Sequence, residues 1–220
     1  MQAFPASKLI YSKEKEMMKL LAIWLANRIV KGAGDGRPVE VIAYGLEIIL
    51  NITMQLALLA LLGYIFGILP TVMAAVLPTV VYRTLSGGSH FSTFWSCTLV
   101  SMIIFTVLGY IVVSFKGDSG IIITAYLLMV LVAWKWSPYN PNRFFEKHKI
   151  RALKMVSICY LMIFLILSLT VSVNDSLKGA VMLGLAWQTL NITPIGATLI
   201  GAANQLINGR KEGVKNVQQN

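Results

Sequence analysis

Charge is scarce in this chain. Only 13% of its residues are Asp, Glu, Lys or Arg, about half the roughly 25% of a typical soluble domain. A soluble chain of 220 residues has too small an interior to hide what takes the place of those charges, so an ordinary soluble domain is excluded. Cysteine and histidine are scarcer still, two of each. Cys97 and Cys159 show neither CxxC nor ligand-like spacing, which excludes a metal cluster and a disulfide framework. Phosphate-cradling and dinucleotide fingerprints are absent, so no nucleotide cofactor is expected, nor any other. The N-terminus, MQAFPASKLIYSKEKEMMKLL, scatters its apolar residues among charges and lacks the compact apolar core of a cleavable signal. No internal repeat or low-complexity tract divides the chain.

What fills the sequence is apolar: 56% hydrophobic residues and a mean hydropathy of +0.70. The expected class is an all-α integral membrane protein. Five apolar segments stand out, roughly 41–68, 94–115, 121–136, 156–173 and 177–201. A sixth, 69–82, is shorter than the ~20 residues of a usual crossing and carries Pro70 and Pro78. Counting it as a short crossing puts 17 of the 19 Lys and Arg residues in or beside segments on one side, leaving Lys116 and Lys178 on the other. The positive-inside rule then gives six spans with both termini cytoplasmic. The formal charge of +10 is spread between the apolar runs and forms no single patch, so anionic lipid is the expected partner and nucleic acid is not.

Residues 1–40 are not a span. Met17, Leu20, Leu21 and Trp24 recur at helical spacing among Lys13, Lys15, Lys19 and Arg28, the pattern of an amphipathic helix in the inner interface. KGAGDGR at 31–37 reads as a linker. The expected organisation is an interfacial segment (1–40), a six-span membrane domain (41–201) and a basic cytoplasmic tail (202–220).

One stretch interrupts the apolar pattern: YRTLSGGSHFSTFWSCT, residues 82–98. It holds one of the two histidines and, seven residues later, one of the two cysteines. A lone membrane His is commonly an interhelical hydrogen-bonder, and a lone Cys a small core residue. The context favours chemistry. Ionisable groups near a membrane are costly and tend to mark function, and Gly87-Gly88 permits a tight turn or a close backbone approach. An imidazole beside a thiol is the usual pair for nucleophilic attack on a carbonyl.

The spacing Arg83, four residues, Gly88, one residue, His90, six residues, Cys97 resembles the signature of the AgrB family of accessory gene regulator proteins. YGLEIILN (44–51) is similar to the start of that family's first span, and WSPYNPNR (136–143) to its proline-containing loop after span four. The six spans and basic N-terminal helix match as well. The departure is the loop after span four, where family members often carry a longer Lys and Pro run; this bears on which peptide is recognised. The resemblance implies a membrane cysteine endopeptidase of quorum sensing, with Cys97 as nucleophile and His90 as general base and acid. The enzyme would cleave an AgrD-like autoinducing-peptide precursor near its C-terminal end through a Cys97 thioester, which closes into a thiolactone or lactone ring. A homodimer in the cell membrane is the expected assembly.

Supporting roles are open between alternatives. Arg83 would hold a substrate carboxylate or anchor a lipid phosphate. Glu47, with Asn51 and Gln55 on one helical face, would orient His90 or pair with Arg83. Cys159 reads as a core thiol and His148 as a solvated or headgroup-facing side chain. Two other functions compete: a small transporter lined by the polar stripe of span one and the proline-broken spans two and six, and a non-enzymatic scaffold for a sensor.

Geometry adds one constraint. On a continuous helix, positions 90 and 97 lie ~10.5 Å apart along the axis, while a His side chain reaches roughly 4.5 Å and a Cys under about 3 Å. The pair therefore cannot meet on an unbroken helix. The third span is expected to begin after His90, with Ser92 or Thr93 as its N-cap and Cys97 about one turn inside, the preceding segment bending at Gly87-Gly88. The charge distribution makes a separate prediction. With single cysteines in a Cys-free background and an impermeant thiol reagent on intact cells, position 116 is labelled and position 147 is not; the reverse pattern overturns the six-span topology.

Overall fold

The computed structural model describes residues 6–33, 38–89, 91, 94–115, 117–139 and 147–208. The described residues form eight α-helices and no strand: α1 (Ala6–Ala33), α2 (Val39–Ile65), α3 (Leu69–Ser86), α4 (Phe94–Ile111, continued by the 3-10 turn Val112–Ser114), α5 (Ser119–Trp136), α6 (Lys147–Thr170), α7 (Asp175–Asn191) and α8 (Pro194–Asn208). Five of these are long and apolar enough to cross a membrane: α2, α3, α4 with its 3-10 turn, α5 and α6. The fold is all-α and multi-pass.

The chain divides into two compact units, residues 1–58 and 59–220. In the first, α1 runs on through Lys31–Ala33, so the start of the expected linker is helical; positions 34–37 lie outside the described residues. Leu20, Leu21 and Trp24 of the expected apolar stripe are all exposed, and the Arg28 guanidinium lies 5.0 Å from the centre of the Trp24 ring. Glu47, Asn51 and Gln55 lie half-buried on α2.

The second unit is organised around α7. Buried Tyr82, Ile122, Tyr126, Met129, Ala133, Leu161, Leu165, Met182, Leu185 and Ile192 form one core shared by α3, α5, α6, α7 and the residue that follows it. Tyr82 stacks on Tyr160 at 5.7 Å between ring centres, and the Tyr160 hydroxyl donates to the carbonyl of Pro78 at 2.9 Å. A β-carbon on Gly184 of α7 would overlap the Ala75 carbonyl and come within 2.7 Å of Thr79 Oγ1. Small residues let membrane helices approach backbone to backbone in this way.

These contacts also fix direction. Gly184 meets Ala75 and Thr79, Gln188 meets Ser86 and Gly87, and Asn191 meets Ser89. Helices α3 and α7 therefore run parallel. At the far end, the Ser176 hydroxyl donates to the Val113 carbonyl at 3.2 Å, and Asn174 caps α7 by accepting from the Ser176 amide. At about 1.5 Å per residue, a helix of this length covers roughly 25 Å between those two ends.

Two spans differ from the sequence expectation. The apolar stretch 177–201 is two helices: α7 ends at Asn191, and Thr193 caps α8, its Oγ1 accepting from Gly196 N at 3.1 Å, with Pro194 at the first helical position. Proline suits that position because its missing donor has no partner in a first turn anyway. The other is α6, which starts at Lys147, about two and a half turns before residue 156. KHKIRALK contains no Gly or Pro, and its straight-chain residues continue a helix readily.

Because the α3–α7 approach leaves no room for a side chain at position 184, Gly184→Leu should cost at least the ~1–3 kcal/mol of an overpacked core. The expected readout is a lowered unfolding midpoint in detergent and reduced membrane yield. An unchanged midpoint overturns the packing described.

Candidate active site

Helix α3 stops at glycine. Gly87 has φ 72 and Gly88 φ 141, conformations that side-chain-bearing L-residues adopt at a cost. The Gly87 amide closes the helix by donating to the Arg83 carbonyl at 3.0 Å. The chain then pairs with the segment after α5. Tyr139 N donates to the Ser86 carbonyl at 2.9 Å, and Gly88 N donates to the Tyr139 carbonyl at 2.9 Å, making an isolated parallel bridge between Gly87 and Tyr139. A β-carbon on Gly87 would overlap the Tyr139 carbonyl oxygen. Both the backbone angle and the packing thus require glycine.

From the other side, α7 holds the same turn. Gln188 Nε2 donates to the Gly87 carbonyl at 2.7 Å and to Ser86 Oγ at 3.2 Å. The Ser89 amide donates to the Asn191 carbonyl at 3.4 Å. Arg83, one turn before the end of α3, folds forward and donates Nη2 to the Ser89 carbonyl at 2.8 Å. The chain re-enters helix at Phe94, so Cys97 is at the end of the first turn of α4. It is half-buried, between buried Ser96 and Thr98. The Arg83 guanidinium is close enough to Cys97 to act on it electrostatically.

The break expected between positions 90 and 97 is present: Gly87–Ser89 and Phe91 are non-helical, and the next helix starts after them. Arg83, Gly87 and Gly88 come together at the end of α3, and Cys97, on the next helix, lies within electrostatic range of Arg83. His90 and the N-cap candidates Ser92 and Thr93 lie outside the described residues. Glu47 belongs to the first unit. Cys159 is exposed on α6, and His148 is exposed in that helix's first turn. Among the described residues no group of His, Cys, Asp and Glu is arranged to hold a metal ion.

Sequence reasoning passed over Gln188 and Asn191, which are fully or almost fully buried. Their side-chain oxygens, Gln188 Oε1 and Asn191 Oδ1, have no hydrogen-bond partner among the described residues. The available signal was two amide side chains three residues apart inside an apolar run, where polar groups are expensive. Tyr139 lay within WSPYNPNR, but nothing local announces its pairing with a glycine 52 positions earlier.

The arrangement is a half-buried cation within electrostatic range of a half-buried thiol, either side of a helix break whose backbone is pinned from two sides. The family model for accessory gene regulator B matches residues 21–192, which takes in every element of this arrangement. The chain belongs to the AgrB family. An AgrB-like protein of Halalkalibacterium halodurans is 27% identical over 199 residues, covering 87% of this chain and 94% of that protein. One from Clostridium perfringens is 26% identical over 192 residues, covering 79% of this chain and 90% of that protein. One from Listeria monocytogenes is 24% identical over 162 residues, covering 72% and 78%. No solved structure matches. AgrB membership carries a role in the accessory-gene-regulator quorum-sensing system, as the component that processes an autoinducer precursor, and association with the membrane.

The glycine requirement makes a prediction for this AgrB protein. Gly87→Ala should cost on the order of 1–3 kcal/mol, because φ 72, ψ −151 lies in a region essentially closed to side-chain-bearing residues, and should also displace Tyr139. Precursor processing should fall more steeply than membrane yield. Processing at the parent rate overturns the account of the turn.

Proposed function

We propose that this protein is a membrane cysteine endopeptidase that cleaves its autoinducing-peptide precursor near the C-terminal end and transfers the acyl group into a ring. Cys97 is the nucleophile and His90 the general base and acid. The observation that carries the reading is the helix break itself, where Arg83 is held by its hydrogen bond to the Ser89 carbonyl at 2.8 Å in a turn pinned by Tyr139 and Gln188, with Cys97 within electrostatic range. A fixed cation beside a thiol favours the thiolate, the attacking form.

The chemistry follows in two transfers. His90 takes the thiol proton, and Cys97 sulfur attacks the carbonyl of the scissile peptide bond. The C–N bond breaks, the leaving amine takes the proton from the imidazolium, and the C-terminal fragment departs. The acyl group is now a thioester on Cys97. A thiol or hydroxyl of the same peptide, deprotonated by His90, attacks that carbonyl; the new thioester or ester closes the ring and Cys97 leaves as thiolate. Each acyl bond broken is replaced by another, so ring closure needs no nucleotide. Arg83 orients the peptide or the thiolate, Gly87 and Gly88 set the turn, and Glu47 is the candidate from the first unit for orienting His90. A homodimer with cytoplasmic termini and site is the assembly expected.

The decisive experiment is substitution. Cys97→Ala and His90→Ala should each abolish cleavage while the protein still inserts, and Cys159→Ala should process nearly normally. A substrate adduct on the parent enzyme that hydroxylamine releases supports the thioester. Robust cleavage by Cys97→Ala rejects this mechanism and favours a transporter or scaffold, which tolerates loss of the thiol.

A further inference from the structure

Helix α7 does more than fill the second unit. Its inner end places two primary-amide side chains, Gln188 and Asn191, against the turn that carries the site, and both are buried. A hydrocarbon residue would fill that space without burying an unsatisfied oxygen. Gln188 instead keeps Oε1 without a partner among the described residues while Nε2 bridges Ser86 Oγ and the Gly87 carbonyl. The chain of contacts then runs on without a gap. The Asn191 carbonyl accepts from Ser89 N, the Ser89 carbonyl accepts from Arg83 Nη2, and Arg83 acts on Cys97.

We propose that Gln188 is the positioning residue of this site, acting through the Ser86–Ser89 backbone to hold the Arg83 guanidinium against Cys97. The proposal deepens the peptidase reading and rests on it for its functional meaning. The geometry is asymmetric in a useful way. On one side the turn is fixed by two main-chain bonds to Tyr139, which any residue type at position 139 except proline can largely reproduce. On the α7 side the main-chain bond from Ser89 N to the Asn191 carbonyl is joined by one side chain, Gln188, the only one on α7 that hydrogen-bonds to the turn among the described residues. Gly88 leaves little slack, since a β-carbon there would stand 3.2 Å from Gln188 Nε2.

The test reads the thiol directly and needs no precursor. In a Cys159→Ala background Cys97 is the single cysteine, and its alkylation by iodoacetamide is timed in lipid vesicles at a pH below the ordinary thiol range. Gln188→Met, which keeps the length and removes the donor, should slow alkylation on the order of three- to tenfold, as expected when a cation beside a thiol is displaced. Ser168→Ala, which removes a buried hydroxyl bonded to Tyr126 and the Phe164 carbonyl, should leave the rate unchanged. Arg83→Gln should slow it by itself, and adding Gln188→Met should bring little further loss, because the two act in series. Unchanged or faster alkylation in Gln188→Met overturns the proposal, as does a double variant whose losses multiply. Should Gln188→Met fail to accumulate, Gln188→Asn, whose amide is one methylene short of the turn, is read instead with the same two outcomes. Cleavage by Cys97→Ala would reject the peptidase reading while leaving this result standing, so the two failures are distinguishable.

Discussion

The contact on which the rest of the second unit depends is the one between Gly184 and the Ala75 carbonyl. With the helices fixed against each other at that point, Gln188, one turn further along α7, reaches Ser86 and Gly87, about three turns beyond Ala75 on α3. The turn after that brings the Asn191 carbonyl to the Ser89 amide. A larger residue at position 184 would push α7 outward and open all three contacts together. The chemistry at the end of α3 is thus set by a packing decision more than two helical turns away. Parallel α3 and α7, with α4, α5 and α6 between them in sequence, also fit the short α3 as a crossing in its own right, because α4, α5 and α6 are each long enough to cross.

Helix α7, 17 residues long, is shorter than the five helices long and apolar enough to cross, and its setting is protein more than lipid. Most of its inward positions, Gly179, Ala180, Met182, Gly184, Leu185, Gln188, Thr189 and Asn191, are buried in protein. A helix enclosed in this way needs no hydrocarbon coat and is free to carry amides and hydroxyls, each a possible hydrogen-bonding handle. The outer helices show the converse: Ile103, Val107 and Tyr110 on α4 and Leu128, Leu131 and Trp134 on α5 are exposed, as lipid-facing residues should be. The central helix of the second unit is therefore one whose surroundings are mostly protein.

This explains what was legible in the sequence. The outer spans were readable to within a few residues because their apolar runs answer to lipid. The helix break before Cys97 was readable because bond lengths alone forbid His90 and Cys97 from meeting on one helix, and Gly87-Gly88 is the obvious place to turn. The division at Asn191 was half-legible: Thr193-Pro194 is an ordinary helix start, but it is hidden inside a run whose hydropathy continues past it. The N-terminal extension of α6 was hidden for the opposite reason, since KHKIRALK is too charged to count as a span and yet helical by propensity. Gln188 and Tyr139 were not legible as partners of the glycine turn at all. Each is brought there by tertiary packing, and no local pattern encodes which face of α7 meets which end of α3.

The proposed thioester chemistry calls for a reactive thiolate, and the helix N-terminus alone is a weak device for holding one. Cys97 follows three residues after the start of α4, where the dipole has already decayed. Arg83 is a full charge within electrostatic range of Cys97, held by a defined hydrogen bond to Ser89. Such a charge is effective only if its position is fixed, because a flexible arginine would find lipid phosphate or water instead. The glycine turn, the Tyr139 bridge and the Gln188 amide together remove that freedom. The break between α3 and α4 thus supplies the backbone carbonyl, that of Ser89, which keeps the cation from straying.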